Sequence, residues 1–323
     1  MSLVLVTGAT GRIGSHLVKA LLAKGDKVKA VVRPGSSHPL PPGAEKFEFD
    51  LAAGTLPESA FSGVEKIVHL AGLVGDHPYE ELLKQNAFAV KNLLCYVPSS
   101  VQRIVIISSI SVYGEYKGQI VDEKFELKSE SAYGKSKLLG ETFAREYCST
   151  LPLVFLRPGM VYGSGFEEGY FPVLDYVKRG KMKIIGDGKN RVPLVHVLDL
   201  VQSILLALEA DVPFCSTYNI VGSETLTQEE LLALAAQELG VAPPSEHIPI
   251  EMAKFMASAR SFLASIGLGK APKVSADNLR QLTLDRAYST AKARQELGFE
   301  ARIKLREGLK EVVKDFLSKK GQV

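Results

Sequence analysis

Residues 3–7, LVLVT, run directly into the turn GATGRIG, in which Gly8, Gly11 and Gly14 recur at every third position, and an amphipathic stretch then continues to Gly25. An unbroken apolar run of this kind suits a strand covered on both faces of a parallel sheet. A strand, a glycine-rich turn and a helix in immediate succession are the context that a dinucleotide-binding reading requires. The glycines let backbone approach a pyrophosphate, and the helix N-terminus offers free amides and the positive end of its dipole. Gly8, Thr10, Gly11, Arg12, Ile13 and Gly14 are therefore candidate dinucleotide-binding residues, and Gly25 is the expected left-handed stop of the helix.

The rest of the chain continues the pattern. Strands are expected at KVKAVVR, FEFDL (47–51), EKIVHLAG (65–72), RIVIIS (103–108), LPLVFLR and STYNIVG (216–222), each followed by loop or helix. The second strand ends at Arg33. An acidic residue there would bind the ribose of NAD, whereas an arginine favours the 2′-phosphate of NADP, with Arg12, Ser36 and Ser37 as possible helpers. Asp50 and Leu51 fall at the end of the third strand, where a carboxylate can accept from an adenine amino group. Leu70, Ala71 and Gly72 follow the fourth, with Leu73 beyond them toward substrate. Asn86 is a polar residue in an otherwise apolar helix, expected over about 80–97. Ser108, Ser109 and Ser111 follow the fifth strand, at the carboxyl end where ligands of open α/β sheets bind.

Residues 129–141, SESAYGKSKLLGE, place Tyr133 and Lys137 one turn apart on one helix face. Alone, such a pair describes many surface helices. Downstream of a dinucleotide turn and a serine segment it describes a proton-transfer centre, because a nearby ammonium stabilises a phenolate. Further on, a helix is expected over 167–183, another begins near Asp199 as N-cap, and Thr227 with Glu230 forms a capping box.

Charge and cysteine content limit the partners. The net charge is +3 and basic residues are scattered, so no nucleic-acid surface is expected. Cys95, Cys148 and Cys215 are odd in number and far apart. They suggest neither a disulfide framework nor a metal site, and so a cytoplasmic location. No signal peptide is expected at the N-terminus, and the apolar stretch from Phe255 to Leu268 is interrupted by Arg260 and too short for a membrane span.

In combination these segments resemble the extended short-chain dehydrogenase/reductase superfamily, also called the NAD-dependent epimerase/dehydratase family. TGATGRIG resembles its glycine fingerprint, HLAG its fourth-strand motif, SSISVYG its serine segment and AYGKSKLLGE its Tyr-x-x-x-Lys helix. LRPGMVYG, GDGKNR, HVLDLVQSILLALE and STAKARQELGF resemble its later landmarks. The resemblance implies a doubly wound parallel α/β sheet of the Rossmann type with a smaller, interleaved C-terminal lobe. The cofactor half would be 1–160 with about 191–222, and the substrate half 161–190 with 223–323. It implies Tyr133 as general acid/base, Lys137 as ribose ligand that lowers the tyrosine pKa, and Ser109 as partner of the reacting oxygen. Asn86 matches a helix asparagine of the family, and Pro158 and Gly159 fall where its loop passes the nicotinamide. A homodimer through helices at about 80–97 and 131–148 is implied as well.

Departures from the family pattern bear on the substrate. Ile110 and Ser111 replace the Asp-Glu pair of dehydratases, Met160 stands where many sugar-nucleotide enzymes have asparagine, and Arg33 replaces an acid. These features, with FMASARSFLASIGLGKAPKVS (255–275), look more like the hydroxysteroid-dehydrogenase and flavonol-reductase-like branches. The expected function is NADP- or NAD-dependent interconversion of a secondary alcohol and a carbonyl on a small, fairly apolar substrate. A sugar-nucleotide 4-epimerase with retained NAD is the alternative, with Arg191 near a phosphate position. A non-catalytic NADP-binding protein is the third reading.

Overall fold

The computed structural model describes residues 1–265 and 283–320. Seven strands, β1 (Leu3–Thr7), β2 (Lys27–Val32), β3 (Glu45–Glu48), β4 (Lys66–His69), β5 (Arg103–Ile107), β6 (Leu153–Pro158) and β7 (Ser216–Ile220), form one sheet. Their spatial order is β7-β6-β5-β4-β1-β2-β3, and every pairing is parallel. The order reverses between β1 and β4, which opens a crevice at the carboxyl ends of those two strands.

Helices cover both faces, which is why the strands read as apolar runs rather than alternating ones. On one face Leu17, Val18 and Leu21 of the helix Arg12–Ala23 and Leu200 and Ile204 of the helix Val197–Glu209 pack on Val4, Val6, Val105 and Val154. On the other, Ala89, Val90, Leu93 and Ala144 pack on Leu5, Ile67, Ile104 and Phe155. The fold is the doubly wound Rossmann type. A separate core joins the helices Glu167–Lys178, Gln228–Leu239 and Leu305–Lys320 through Leu174, Leu234, Leu309, Val312 and Phe316. The helix Gln228–Leu239 starts at the expected Thr227–Glu230 capping box and stops at Gly240. Among the described residues no helix is long and apolar enough to cross a membrane.

Several local expectations are corrected. The third strand is Glu45–Glu48, so Asp50 and Leu51 lie beyond it, where Asp50 Oδ1 accepts from Ala52 N at 3.0 Å. The helix expected at 80–97 is three segments, Tyr79–Leu83, a wider π-type turn Lys84–Phe88 and Ala89–Leu94. The helix expected over 167–183 ends at Lys178. His196, not Asp199, caps the helix Val197–Glu209. The Asp199 carboxylate is buried and accepts from the backbone N–H of Arg302 at 2.9 Å. Residues 266–275 of the apolar segment lie outside the described residues; Phe255, on the helix Ile250–Ser265, is exposed.

The cysteine reading is also overturned. Cys148 and Cys215 form a disulfide with Cα atoms 5.6 Å apart, although 67 residues separate them in the chain. Topology is the cause: Cys215 N donates to the Leu153 carbonyl at 2.7 Å, because β7 lies beside the strand that follows Cys148. Cysteine content therefore gives no argument for a reducing compartment. Cys95 is an exposed free thiol.

Candidate active site

The glycine turn sits at the carboxyl end of β1, in the crevice between β1 and β4. Gly8 has φ 68°, and a Cβ there would fall 2.7 Å from Ala71 N, so the turn and the loop after β4 meet backbone to backbone. A Cβ on Gly14 would lie 2.1 Å from the Gly8 carbonyl oxygen. The helix N-terminus is thus pressed against the turn, and its first amides have no intrahelical partner, the arrangement that a pyrophosphate requires. Ile13 packs on the sheet core beneath, and Thr10 and Gly11 form the rim.

The second half of the crevice is built around the helix Ala132–Arg145, capped by Ser131, whose hydroxyl accepts from Gly134 N. Lys137 is buried, and its ammonium donates to the Ile107 carbonyl at 2.7 Å. Gly72 lies directly above: a Cβ there would meet Asn86 Oδ1 at 2.8 Å and Lys137 Nζ at 3.6 Å. Asn86 is locked by three bonds. Its Oδ1 accepts from Leu73 N at 2.7 Å, and its Nδ2 donates to Leu73 O and to Ser136 Oγ, each at 2.9 Å. Ser136 donates in turn to the Tyr133 carbonyl at 2.7 Å. The wider turn at Lys84–Phe88 is where this asparagine leaves its helix toward the crevice, a common use of such turns. Ser109 caps the short turn Ile110–Val112 by accepting from Ser111 N at 3.1 Å, which leaves its hydroxyl proton for another acceptor.

The electrostatics of this cluster differ from the expectation for the Tyr-x-x-x-Lys pair. Burial pushes the Tyr133 phenol up to about 12, with the Ser109 hydroxyl pulling the other way. Lys137 does not hold it down, because its ammonium is turned to the Ile107 carbonyl and is itself lowered to about 8 by burial, with Glu141 opposing. At neutral pH the structure therefore holds a protonated phenol beside a buried ammonium. His69, at the end of β4, is fully buried with Nδ1 2.8 Å from Thr7 Oγ1, and burial followed by the Lys137 charge lowers it to about 3.

Other expected site residues are placed as follows. Arg33 is exposed just past the carboxyl end of β2, and it forms no ion pair among the described residues. Arg12 is not directed at the same spot: it pairs with Glu168 and lies 5.6 Å from the Phe166 ring. Ser108 is buried against Glu141 rather than open to the crevice. Pro158 closes β6, and Gly159 N donates to Ile220 O at 2.8 Å. Met160 is partly exposed on a short strand, Met160–Tyr162, paired with Leu194–His196. Arg191 does not offer a free guanidinium. It grips Asp285 through Nε and Nη2, each at 2.8 Å, and Nη2 also reaches the Gln119 carbonyl. Among the described residues no cluster of metal-ligating side chains occurs.

Two residues not singled out in the sequence belong to the site's foundation. Glu141 is 2% exposed, and Arg157, on β6, is 2% exposed and clamps it. The available signal was spacing, since Glu141 follows Tyr133 and Lys137 at four-residue steps on one helix face.

A glycine cradle, a locked asparagine and a Ser-Tyr-Lys cluster at one sheet edge agree with what the whole sequence matches. Residues 4–220 fit the sequence pattern of the family described as NAD dependent epimerase/dehydratase. The chain belongs to that family. Among its relatives is N-acetyl-α-D-glucosaminyl-diphospho-ditrans,octacis-undecaprenol 4-epimerase of Escherichia coli O157:H7, 26% identical over 95% of this chain and 92% of the relative. Another is 3β-hydroxysteroid dehydrogenase/Δ5→4-isomerase of Mycobacterium tuberculosis H37Rv, 26% identical over 98% of this chain and 90% of the relative. Among solved structures, MoeE5 in complex with UDP-glucose and NAD superposes with a TM-score of 0.75 at 27% identity, covering 98% of this chain and 99% of that one. The family makes this an NAD-dependent enzyme of the dehydrogenase and epimerase kind.

Proposed function

We propose that this enzyme interconverts a secondary alcohol and its carbonyl on a fairly apolar substrate, with Tyr133 as general acid/base. The observation that carries the reading is the convergence of Ser109, Tyr133 and Lys137 on the carboxyl end of β5, opposite the glycine cradle. Gly8, Gly11 and Gly14 would hold the pyrophosphate, and Lys137 and the Gly72 backbone the nicotinamide ribose. A bound nicotinamide supplies or takes up the hydride. The chain's own part is the proton. Ser109 donates to the substrate oxygen and orients it, and the Tyr133 hydroxyl protonates that oxygen as it gains negative charge. A phenol held near 12 is fully protonated at neutral pH, which suits it to the reducing direction. Arg33, exposed and without an ion pair among the described residues, supports NADP over NAD. Fluorescence titration with NADPH and NADH tests this half of the reading; much tighter NADH binding overturns the NADP preference.

A second reading is a sugar-nucleotide 4-epimerase that retains NAD. It is supported by the likeness to MoeE5 over nearly the whole chain. The grip of Asp285 on Arg191 counts against it, since that guanidinium is already committed. Release of NAD on denaturing the purified protein, together with turnover of a UDP-hexose, would decide for the epimerase.

In either reading the cofactor half is taken as 1–160 with about 191–222, and the remainder as the substrate half. Pairing of two copies through the helices at 79–94 and 132–145 is supported by the half-exposed Phe88, stacked on Phe143 at 5.8 Å, and by the exposed Tyr79 at the start of the first of these helices.

A further inference from the structure

Glu141 lies one turn beyond Lys137 on the same helix, closed to solvent. Arg157, from β6, clamps it: Nε donates to Oε1 at 2.9 Å and Nη2 to Oε2 at 2.6 Å. The remaining Arg157 edge donates to Tyr113 Oη at 2.7 Å, and that hydroxyl donates to Asn219 Oδ1 at 2.9 Å. Arg145 approaches Oε2 from the rim at 3.4 Å. A carboxylate this deep persists in charged form only with such partners. Burial works against it, yet the bonds and charge of Arg157 hold Glu141 below the usual carboxylate range. The packing of the helix onto β6 would be served as well by apolar side chains of similar size, and would leave no charge to desolvate. What an apolar pair would not supply is a fixed negative charge one turn from Lys137, where side chains four apart are neighbours.

We propose that Glu141, locked in place by Arg157, is a positioning residue that keeps the Lys137 ammonium charged and aimed at the β5 end of the crevice. The inference rests on reading Lys137 as a cofactor ligand. The other groups around Lys137 do not supply that charge. His69, facing it from β4, is neutral; Tyr133, on its own helix, is protonated; Asn86, from the neighbouring helix, is an amide. Arg157 and Arg145 are cations beyond Glu141, and they offset part of its field. With the carboxylate neutralised, burial acts on Lys137 unopposed, and it loses its proton at lower pH.

The test is cofactor affinity against pH, measured by NADPH and NADH fluorescence between about pH 6 and 10, which needs no substrate. Wild type, Glu141→Gln, Glu141→Asp, Lys137→Met and the double variant Glu141→Gln/Arg157→Gln are compared. Wild-type affinity is expected to fall as Lys137 deprotonates, and Lys137→Met to lack that alkaline limb. In Glu141→Gln the limb moves down by about one pH unit, the effect of a carboxylate one turn away whose field is partly offset. Glu141→Asp keeps the charge and returns the limb toward wild type. The double variant leaves no unpaired buried charge, so it reports even if Glu141→Gln does not fold, and it shows the same downward shift. An unmoved limb in either Gln background overturns the proposal, as does a limb that survives in Lys137→Met. A wild type that binds neither cofactor at any pH overturns the underlying site reading instead.

Discussion

The Lys137 ammonium donates a 2.7 Å hydrogen bond to the carbonyl oxygen of Ile107, the last residue of β5. That bond ties the tyrosine helix to the sheet where the Ser108–Val112 segment begins. Ser109 and Tyr133 come from different elements, and this tie sets their relation. It also accounts for the state of the phenol, since the lysine's proton is directed at a carbonyl and burial alone dominates Tyr133.

Tyr133→Phe removes the proton donor and leaves the cradle intact. Turnover on any substrate of the wild type should fall by about 100- to 10,000-fold, the usual worth of a positioned general acid. Affinity for the nicotinamide cofactor should change by less than about threefold, since no bond from the hydroxyl to the cradle is lost. Steady-state kinetics and cofactor titration read the two effects separately. Equal rates for the two proteins would mean that Tyr133 is not the proton donor.

Arg33→Ser tests the cofactor preference. A charge-assisted bond from an exposed arginine to a 2′-phosphate is worth, at its lower end, roughly a tenfold change in affinity. NADPH should bind about tenfold more weakly, while NADH, which has no 2′-phosphate, should be nearly unaffected. Calorimetric titration of both cofactors gives the two constants. Equal weakening of both would show that Arg33 supports the loop rather than the phosphate.

Gly14→Ala adds one methyl group where the space is already filled, 2.1 Å from the Gly8 carbonyl and 2.8 Å from the Ala9 Cα. Both neighbours are backbone, so relief requires the helix Arg12–Ala23 to shift off the turn. Cofactor binding should be lost, and the protein destabilised by about 1–3 kcal/mol, as for other overpacked sites. Urea denaturation and cofactor titration of the variant check this. Wild-type affinity would mean that the helix N-terminus has more freedom than the close packing implies.

The parts of the molecule legible in the sequence are those fixed by neighbours in the chain. Six of the seven strands, the glycine turn, the Thr227–Glu230 box and the placement of Ser109, Tyr133 and Lys137 near the carboxyl end of the sheet follow from local pattern and from the rule that α/β ligands sit at strand carboxyl ends, while the third strand, Glu45–Glu48, is largely charged and begins before the run expected for it. What escaped depends on partners far along the chain. Asp285, 94 residues away, occupies Arg191; Glu168, 156 residues away, occupies Arg12; and Cys215 reaches Cys148 because β6 and β7 are neighbours. Glu141 was not singled out in the sequence because its partner, Arg157, arrives from a strand. Side-chain commitments of this kind are set by topology, and local periodicity does not carry them.

His69 gives the fold a pH dependence with a definite sign. Its ring is fully buried beside Thr7, and burial with the Lys137 charge lowers its pKa from 6.5 to about 3. The unfolded chain takes up a proton as the pH falls through 6.5, while the folded chain does not until about 3. Across that window the unfolded state binds more protons, so the stability present above the unfolded pKa is lost as pH falls, by about 1.4 kcal/mol per pH unit for this group. A descent of about two units below the unfolded pKa should therefore cost roughly 2–3 kcal/mol from His69 alone. His69→Asn gives up the ring's packing and is less stable than wild type near neutrality, but it has no such proton to gain. The stability gap between the two proteins should narrow as the solution is acidified. Urea unfolding of both, at steps of about one unit from about pH 7.5 to 4.5, measures the gap, and a constant difference would mean that His69 titrates alike in the folded and unfolded chains.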